Sequence, residues 1–204
     1  MAATGGHWIK SARGGLGFVP AEASKQQPKA EPAYDFAPHD ALLIRGTRAH
    51  GNEMGYVVFS DGTVSKAVTG GKSSISSVKL RQVSGLRPTE GAVFSHTHPS
   101  GRIGTPHSTF SPADISFAAY HNLAEIRAVS VGGDGTVKIY SMKRGPKGWP
   151  SRYTIKHDFS SHMRQLNARA RAVGMGNAEW YHAHEVYWQE YAKAWGLTYE
   201  EHWQ

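Results

Sequence analysis

The stretch FSHTHPSGRIGTPHSTFSPADISFA, residues 94–118, constrains the fold more than any other part of the chain. Its apolar start predicts a buried strand, and SPAD at residues 111–114 has the order of an N-cap, a first helical residue and a first helical turn. His96 and His98 are two residues apart, so an extended strand directs both imidazoles to one face. Two imidazoles and a carboxylate are the protein ligands of an open catalytic zinc site. The sequence therefore predicts that His96, His98 and Asp114 bind Zn²⁺.

The composition narrows both the class of protein and the metal ligands that are available. With 204 residues, of which 39% are hydrophobic, the chain can bury one substantial core with additional segments, or two small lobes. It contains no cysteine, so a metal ion must be held by histidine, carboxylate or water. No apolar run approaches the roughly 20 residues of a membrane span, and the N-terminus lacks the apolar region of a secretory signal. We expect a cytoplasmic protein, with a phage-associated protein or an exported effector as alternatives.

The charge of the chain raises the question of a nucleic-acid partner. The formal net charge is +7 and the pI is about 9.6. The basic residues are scattered, however, with small clusters within residues 143–147 and 164–171 and no known nucleic-acid motif. This pattern favours a solubilising surface, or one that attracts an acidic partner, over a nucleic-acid site.

Three regions differ in composition. Residues 1–40 are rich in Gly, Ala, Pro, Lys and Gln and predict a flexible arm or linker, with enough apolar residues near its start for a short hairpin. Residues 41–150 alternate short apolar runs with turn residues, as packed strands do, and the run ALLIR at 41–45 is assigned to this strand-rich region. The predicted elements are strands at 53–60, 63–68, 91–98, 126–133 and 136–142, a helix at 111–125, and either a strand or a helix start at 75–83. The Gly- and Pro-rich segment 143–152 predicts the end of this core.

Residues 151–204 predict a C-terminal helical extension, with two helices broken near Gly174 and Gly176. Aromatic residues and one histidine recur in it at spacings of three and four, which is typical of a packing face more than of a binding site. These residues are Trp180, His184, Tyr187, Trp188, Tyr191 and Trp195.

The order His-x-His-Pro, loop, Ser-x-x-Asp resembles the JAMM motif of the JAB/MPN metallopeptidase superfamily. The residues of the motif are most similar to those of the RadC-like branch. The resemblance covers residues 41–142. It implies an α+β (α/β) fold of the JAB/MPN or cytidine-deaminase-like type, with a central mixed β-sheet flanked by helices. It also implies a zinc-dependent peptidase or isopeptidase acting on a protein or peptide substrate, ubiquitin-like proteins among them. A deubiquitinase-like enzyme, a phage processing enzyme and a toxin domain all fit that description.

The same motif requires a glutamate that opens an earlier strand. Glu53 stands at the start of such a strand and is followed by a hairpin, whereas its rival Glu90 lies at the entry to the histidine strand itself. The resemblance then implies a role for each residue. His96, His98 and Asp114 hold Zn²⁺ with water in the fourth position, Glu53 acts as general base and then as general acid, and Ser111 donates to the oxyanion. A helix-capping role for Ser111 competes with the last assignment.

The chain departs from the motif in one respect. Eleven residues, 100–110, separate Pro99 from Ser111, which is longer than the family usually has. The enlarged loop leaves open whether Ser108 or Ser111 serves the oxyanion. It also adds His107, which we expect at the rim of the site and not as a ligand.

The sequence offers a second possible metal pair and two alternative functions. His182 and His184 have the spacing of a metal pair, but on a helix that spacing points the two side chains apart, which favours surface or packing roles. The whole chain is also compatible with a catalytically idle binding module of the same fold, or with a RadC-like DNA-associated protein.

Overall fold

The computed structural model describes residues 34–85, 87–99 and 107–204, together with the backbone of two strands near the N-terminus. Those strands, β1 (Gly6–Lys10) and β2 (Leu16–Pro20), pair antiparallel and form the short hairpin predicted there. They belong to a unit comprising Met1–Asp35, and the remainder, Phe36–Gln204, forms a second unit. The domain boundaries near residues 40 and 150 stay predictions.

The second unit is built on a six-stranded mixed sheet. Its strands are β3 (Met54–Val58), β4 (Val68–Thr69), β5 (Val93–Pro99), β6 (Glu125–Val131), β7 (Val137–Lys143) and β8 (Thr198–Trp203). Their order is β4-β3-β5-β6-β7-β8, and β5 and β6 run parallel while every other neighbouring pair is antiparallel. Helix α3 (Pro112–Tyr120) lies in the β5–β6 connection, as a parallel pair requires. The predicted α+β class and mixed sheet are therefore confirmed.

Strand β5 separates two differently lined faces of the sheet. Its even-numbered residues, among them His96 and His98, point to one face, and Ser95 and Thr97 point to the other. The Thr97 hydroxyl lies 2.6 Å from that of Thr47, and both threonines are buried. The histidines therefore face away from the helix that carries Thr47.

That helix, α1 (Ala37–His50), corrects one prediction. The run ALLIR was assigned to the strand-rich region, but it lies inside α1. Buried side chains recur along the helix at Asp40, Leu43, Ile44 and Thr47, and Gly51 ends it in the left-handed conformation with φ of 65°. A five-residue apolar run has the same local appearance in a strand and in a helix, so the periodicity of its neighbours decides.

Helix α1 is joined to the sheet by a buried ion pair. Asp40 is 1% exposed and accepts a hydrogen bond from the Arg127 guanidinium at 3.0 Å. It also accepts hydrogen bonds from the Tyr56 hydroxyl at 2.8 Å and the Ser95 hydroxyl at 3.1 Å. Removing Asp40 would leave the Arg127 guanidinium buried with only the Glu125 carboxylate, at 3.7 Å, as a counterion.

Replacing Asp40 with Ala should therefore lower the free energy of unfolding by about 3–5 kcal/mol. The matched control is Asp61→Ala, because Asp61 forms an ion pair with Arg87 at 2.6 Å but its side chain is 54% exposed. The control should change the free energy of unfolding only slightly, because exposed ion pairs contribute little to stability. Denaturant unfolding followed by circular dichroism gives both values, and equal losses would show that the buried network does not hold α1.

The remaining helices bury the main core. They are α2 (Ser77–Val83), α3, α4 (Arg152–Val173) and α5 (Asn177–Trp195), and segment 75–83 is thus resolved in favour of a helix. Trp188 of α5 is fully buried in this core, and its indole N–H donates to the Phe110 carbonyl at 2.7 Å. None of the helices in the described part of the chain combines the length and the apolar composition of a membrane span.

The C-terminal segment differs from its prediction at one point. The two helices break between Gly174 and Gly176, as expected, but residues 198–203 form β8, which adds an edge strand to the sheet beside β7. The prediction that this segment is entirely helical is therefore wrong at residues 198–203. The sequence TYEEHW has few apolar residues, and its pairing relies on β7 and on cross-strand ion pairs such as Lys143–Glu200 at 2.6 Å. The predicted strand at 63–68 is likewise reduced to a bridge at Val64 and the short β4.

Candidate metal centre

The predicted ligands converge where β5 ends and α3 begins. The Nε2 atoms of His96 and His98 are 2.9 Å apart. The Asp114 carboxylate places Oδ1 at 3.3 Å from His96 Nε2 and Oδ2 at 3.5 Å from His98 Nε2. The three side chains thus offer nitrogen and oxygen atoms that all lie within 4.8 Å of one another.

These separations fit a tetrahedral ion. Zinc bonds of about 2.0–2.1 Å at tetrahedral angles place two ligand atoms about 3.3 Å apart. The two His–Asp separations are close to that value but involve different oxygens of the carboxylate, and the distance between the two Nε2 atoms is shorter by a few tenths of an ångström. Among the residues that the structure describes, no other group of three His, Asp or Glu side chains converges in this way. These three side chains could therefore hold a metal ion.

The electrostatics of the group favour a bound positive charge. Burial by itself would raise the pKa of Asp114, but the His96 and His98 imidazoles hold that pKa well below its ordinary value. Burial by itself would lower the pKa of His98, but the hydrogen bond and charge of Asp114, together with Glu53, raise it. The carboxylate thus stays ionised and attracts a proton or a cation to the imidazoles.

The loop before α3 orients one of the ligands. His98 Nδ1 lies 3.3 Å from the Ser108 carbonyl oxygen, so an Nδ1–H donates there and leaves Nε2 free to accept a metal. The Ser108 amide in turn donates to the Ser130 hydroxyl at 3.0 Å. This role for the Ser108 backbone was not predicted, because a carbonyl ten residues away carries no side-chain signal in the sequence.

Ser111 and Asp114 form a complete capping box at the start of α3. The Ser111 amide and hydroxyl donate to Asp114 Oδ2 at 2.7 and 2.8 Å, and the Asp114 amide donates to the Ser111 hydroxyl at 3.3 Å. The cap holds the carboxylate toward the histidines, and Ser111 itself lines the adjoining cleft. Capping and ligand positioning are thus performed by the same three bonds.

Glu53 reaches the same cleft from the neighbouring strand. Strands β3 and β5 pair antiparallel with Gly55 opposite His96, and Glu53 immediately precedes β3 at the same end of this pairing. Glu53 is only 7% exposed, and burial raises the pKa of its carboxyl, with the His98 and His96 imidazoles opposing that rise. Its carboxylate is outside the group of converging ligand atoms. Glu53 is therefore placed beside the ligands and not among them.

The rival candidates lie elsewhere. Glu90 is exposed and accepts a hydrogen bond at 2.7 Å from Asn122, beyond the opposite end of β5. His107 is held by the Ser130 carbonyl at 3.2 Å and the Thr136 hydroxyl at 2.9 Å, and it is not a member of the converging group. Glu53 therefore lies near the histidines whereas Glu90 does not, and His107 lies outside the converging group.

His182 and His184 point to different environments. The His182 side chain is 73% exposed and lies 3.5 Å from a Glu185 oxygen. His184 is 8% exposed, and its ring packs against Trp180 at 4.1 Å and His162 at 5.5 Å. The pair therefore does not share a metal ion. Burial, together with nearby His162, lowers the pKa of His184 to about 4.

This lowered pKa predicts a loss of stability in acid. As the pH falls from the ordinary 6.5 towards about 4, the unfolded chain binds a proton at position 184 before the folded chain does. Over that window His184 should cost the folded state up to about 3 kcal/mol. His184→Phe should flatten this part of the pH–stability curve, while His182→Phe should leave it unchanged. Urea unfolding at a series of pH values measures the difference, and parallel curves for wild type and His184→Phe would contradict it.

A cleft of about 520 Å³ extends from the metal ligands to the C-terminal helices. One side is polar and contains Glu53, His96, His98, Ser111 and Asp114. The other side is largely aromatic, and its residues were either not indicated by the sequence or assigned to a packing face. These are Phe117, Phe159, Trp180 and Tyr181. The aromatic spacing in α5 was the available signal, but only the packed structure separates the residues that line the cleft from the buried Trp188 and Tyr191.

Comparison with known proteins identifies neither a family nor a similar fold for this chain. No family model, no curated protein and no solved structure matches this chain. The resemblance to the JAB/MPN superfamily therefore stays a prediction that rests on the quoted residues.

Proposed function

We propose that this protein is a zinc-dependent metallopeptidase or isopeptidase, similar to JAB/MPN enzymes, that hydrolyses a peptide or isopeptide bond in a protein or peptide substrate. One observation carries the proposal: residues from three separate segments line one cleft. Glu53 comes from the start of β3, the two histidines from β5, and Ser111 with Asp114 from the start of α3. A cation site, a buried carboxylate and a hydroxyl donor are the groups that metal-assisted hydrolysis of an amide requires.

The metal ligands define what a bound ion contributes. His96, His98 and Asp114 would hold it, leaving one of four positions open. Zinc in that place supplies Lewis acidity and lowers the pKa of water toward about 7. The Ser108 carbonyl keeps the His98 tautomer fixed, and the capping box keeps the Asp114 carboxylate oriented. The chain thus prepares the ligand set before an ion arrives.

Glu53 is the proposed general base and general acid. A buried carboxylate with a raised pKa binds a proton more readily than an exposed one. Glu53 would take a proton from the attacking water at a carboxylate oxygen. It would then deliver the same proton to the leaving amine as the amide bond breaks.

Ser111 is the proposed oxyanion donor. Its hydroxyl donates to Asp114 Oδ2, but its backbone amide donates to the same oxygen at 2.7 Å. If the hydroxyl turned toward a substrate oxygen, the amide would still hold the carboxylate. In this proposal the Ser111 hydroxyl therefore caps the helix before substrate binds and donates to the oxyanion during the reaction.

Metal analysis combined with a hydrolysis assay tests the proposal. Protein purified without chelators should contain about one zinc per chain, and it should cleave members of a mixed peptide library detected by mass spectrometry. Treatment with EDTA should stop cleavage, and added Zn²⁺ should restore it. Protein that binds no zinc when it is supplied would instead be a binding module without hydrolytic activity.

A further inference from the structure

The aromatic side of the cleft is continuous with the metal centre. The His96 ring stacks on Phe94 with centroids 5.1 Å apart, and Phe94 contacts Phe117 at 5.2 Å. Phe117, Phe159, Trp180 and Tyr181 line the same cavity as the metal ligands. A group bound against these rings would therefore lie beside the proposed reaction centre.

The aromatic wall is held in place by buried contacts. Phe159 stacks on Trp188 at 5.6 Å with an interplanar angle of 18°, and Trp188 donates to the Phe110 carbonyl. Phe110 immediately precedes Ser111, so the C-terminal helices are fixed to the turn that carries the proposed oxyanion donor. The Trp180 indole N–H donates to the Asn167 side chain at 3.4 Å, which ties α5 to α4. The wall is thus preformed and not an exposed set of mobile rings.

One polar group of the wall lacks a partner. His184 lines the cleft, is 8% exposed, and its Nε2 atom has no hydrogen-bond partner within the described residues. Buried polar atoms are normally hydrogen-bonded, because desolvation without a partner is costly. The Nε2 atom is itself inaccessible from the cleft, so the wall that a ligand meets there is formed mainly by the aromatic rings. Flat apolar walls of this kind suit an aromatic side chain.

We propose that this part of the cleft is a specificity pocket that takes an aromatic side chain of the substrate next to the bond that is cleaved. The statement about cleavage rests on the proposed function, whereas the statement about binding does not. Trp180 and Tyr181 of α5 and Phe159 of α4 are then specificity residues supplied by the C-terminal segment.

Binding of an aromatic side chain in the cleft is tested on protein from which metal has been removed. EDTA-treated protein labelled with ¹⁵N is titrated with N-acetyl-tyrosine amide and, separately, with N-acetyl-alanine amide, while NMR follows the indole N–H of each tryptophan. The tyrosine amide should shift the Trp180 signal and bind at least about ten times more tightly than the alanine amide. Trp180→Ala should remove this preference. Trp203→Ala should preserve it, because Trp203 is exposed on the edge strand and does not line the cleft.

A second variant protects the test against misfolding. Tyr181→Ala removes a ring from the same wall at a partly exposed position, and it should also weaken tyrosine-amide binding. Equal affinity for the two amides in the wild-type protein would overturn the proposal. An unchanged preference in both folded variants would overturn it as well.

The preference of the enzyme for aromatic substrates is measured from the positions at which peptides are cleaved. In a peptide library, sites with tyrosine or phenylalanine beside the cleaved bond should dominate. Trp180→Ala should lower kcat/KM for these peptides by about tenfold or more while zinc content stays the same. Zinc-dependent cleavage without aromatic preference would refute the pocket and leave the proposed function standing. Aromatic binding without any cleavage would refute the function and leave the pocket standing.

Discussion

Replacing Glu53 with Gln should lower kcat/KM by about 10²–10⁴ while the protein still binds zinc. The amide has nearly the shape of the carboxylate but cannot take up a proton at neutral pH. Glu53 is buried beside the ligands and is not one of the converging atoms, so the ligand set should survive the change. The measurement pairs peptide hydrolysis with zinc content on the same preparation.

The matched control for this variant is Glu90→Gln. Glu90 was the competing candidate in the sequence, and the structure places it on the surface, hydrogen-bonded to Asn122. Its replacement should leave both hydrolysis and zinc content unchanged. Full activity in Glu53→Gln, or lost activity in Glu90→Gln, would show that the general base has been assigned to the wrong glutamate.

Replacing His96 with Ala should weaken zinc binding by more than about 100-fold, since even loss of an outer hydrogen-bond partner of a ligand costs 10–100-fold. Zinc at 100 times its Kd should stabilise the wild-type protein by about 2.7 kcal/mol, and the variant should lose this stabilisation. Equilibrium dialysis measures the affinity, and thermal unfolding with and without zinc measures the linked stability. His98→Ala should behave in the same way and provides a second test if one variant folds poorly.

His107→Ala is the control for the ligand variants. His107 is close in sequence to the centre, but its ring nitrogens lie within hydrogen-bond distance of the Ser130 carbonyl and the Thr136 hydroxyl. Its removal should leave zinc affinity within a few-fold of the wild-type value. A large loss of affinity in His107→Ala would mean that the enlarged loop supplies a ligand, and the three-ligand centre would need to be revised.

The local part of the site could be predicted because its geometry is set by short-range rules. His96 and His98 share a face because the side chains of a strand alternate with a period of two residues. In the structure their Nε2 atoms are 2.9 Å apart. Ser111 and Asp114 form the capping box that their spacing predicted. The strand of the histidines, the helix that follows it and the β6–β7 hairpin were predicted for the same reason.

Other features had no reliable local signal. The run ALLIR was assigned to the strand region because five apolar residues do not distinguish a strand from a helix, and β8 was missed because TYEEHW is polar and pairs only as an edge strand. The Ser108 carbonyl that orients His98 is a backbone group, which every residue possesses. In each case the deciding interaction joins residues that are distant in the chain.

The sequence by itself determined that His96 and His98 share one face and that Ser111 and Asp114 form a cap, because an alternating strand and a helix N-terminus place neighbouring residues by local geometry alone. Only the tertiary structure decided that Glu53, and not Glu90, faces the histidines, since this depends on the antiparallel register of β3 with β5. It also decided that Trp180 and Tyr181 border the cleft while Trp188 is buried, since this depends on how α5 packs against α4 and β8. Register and helix packing arise from contacts between distant segments, and no single segment encodes them.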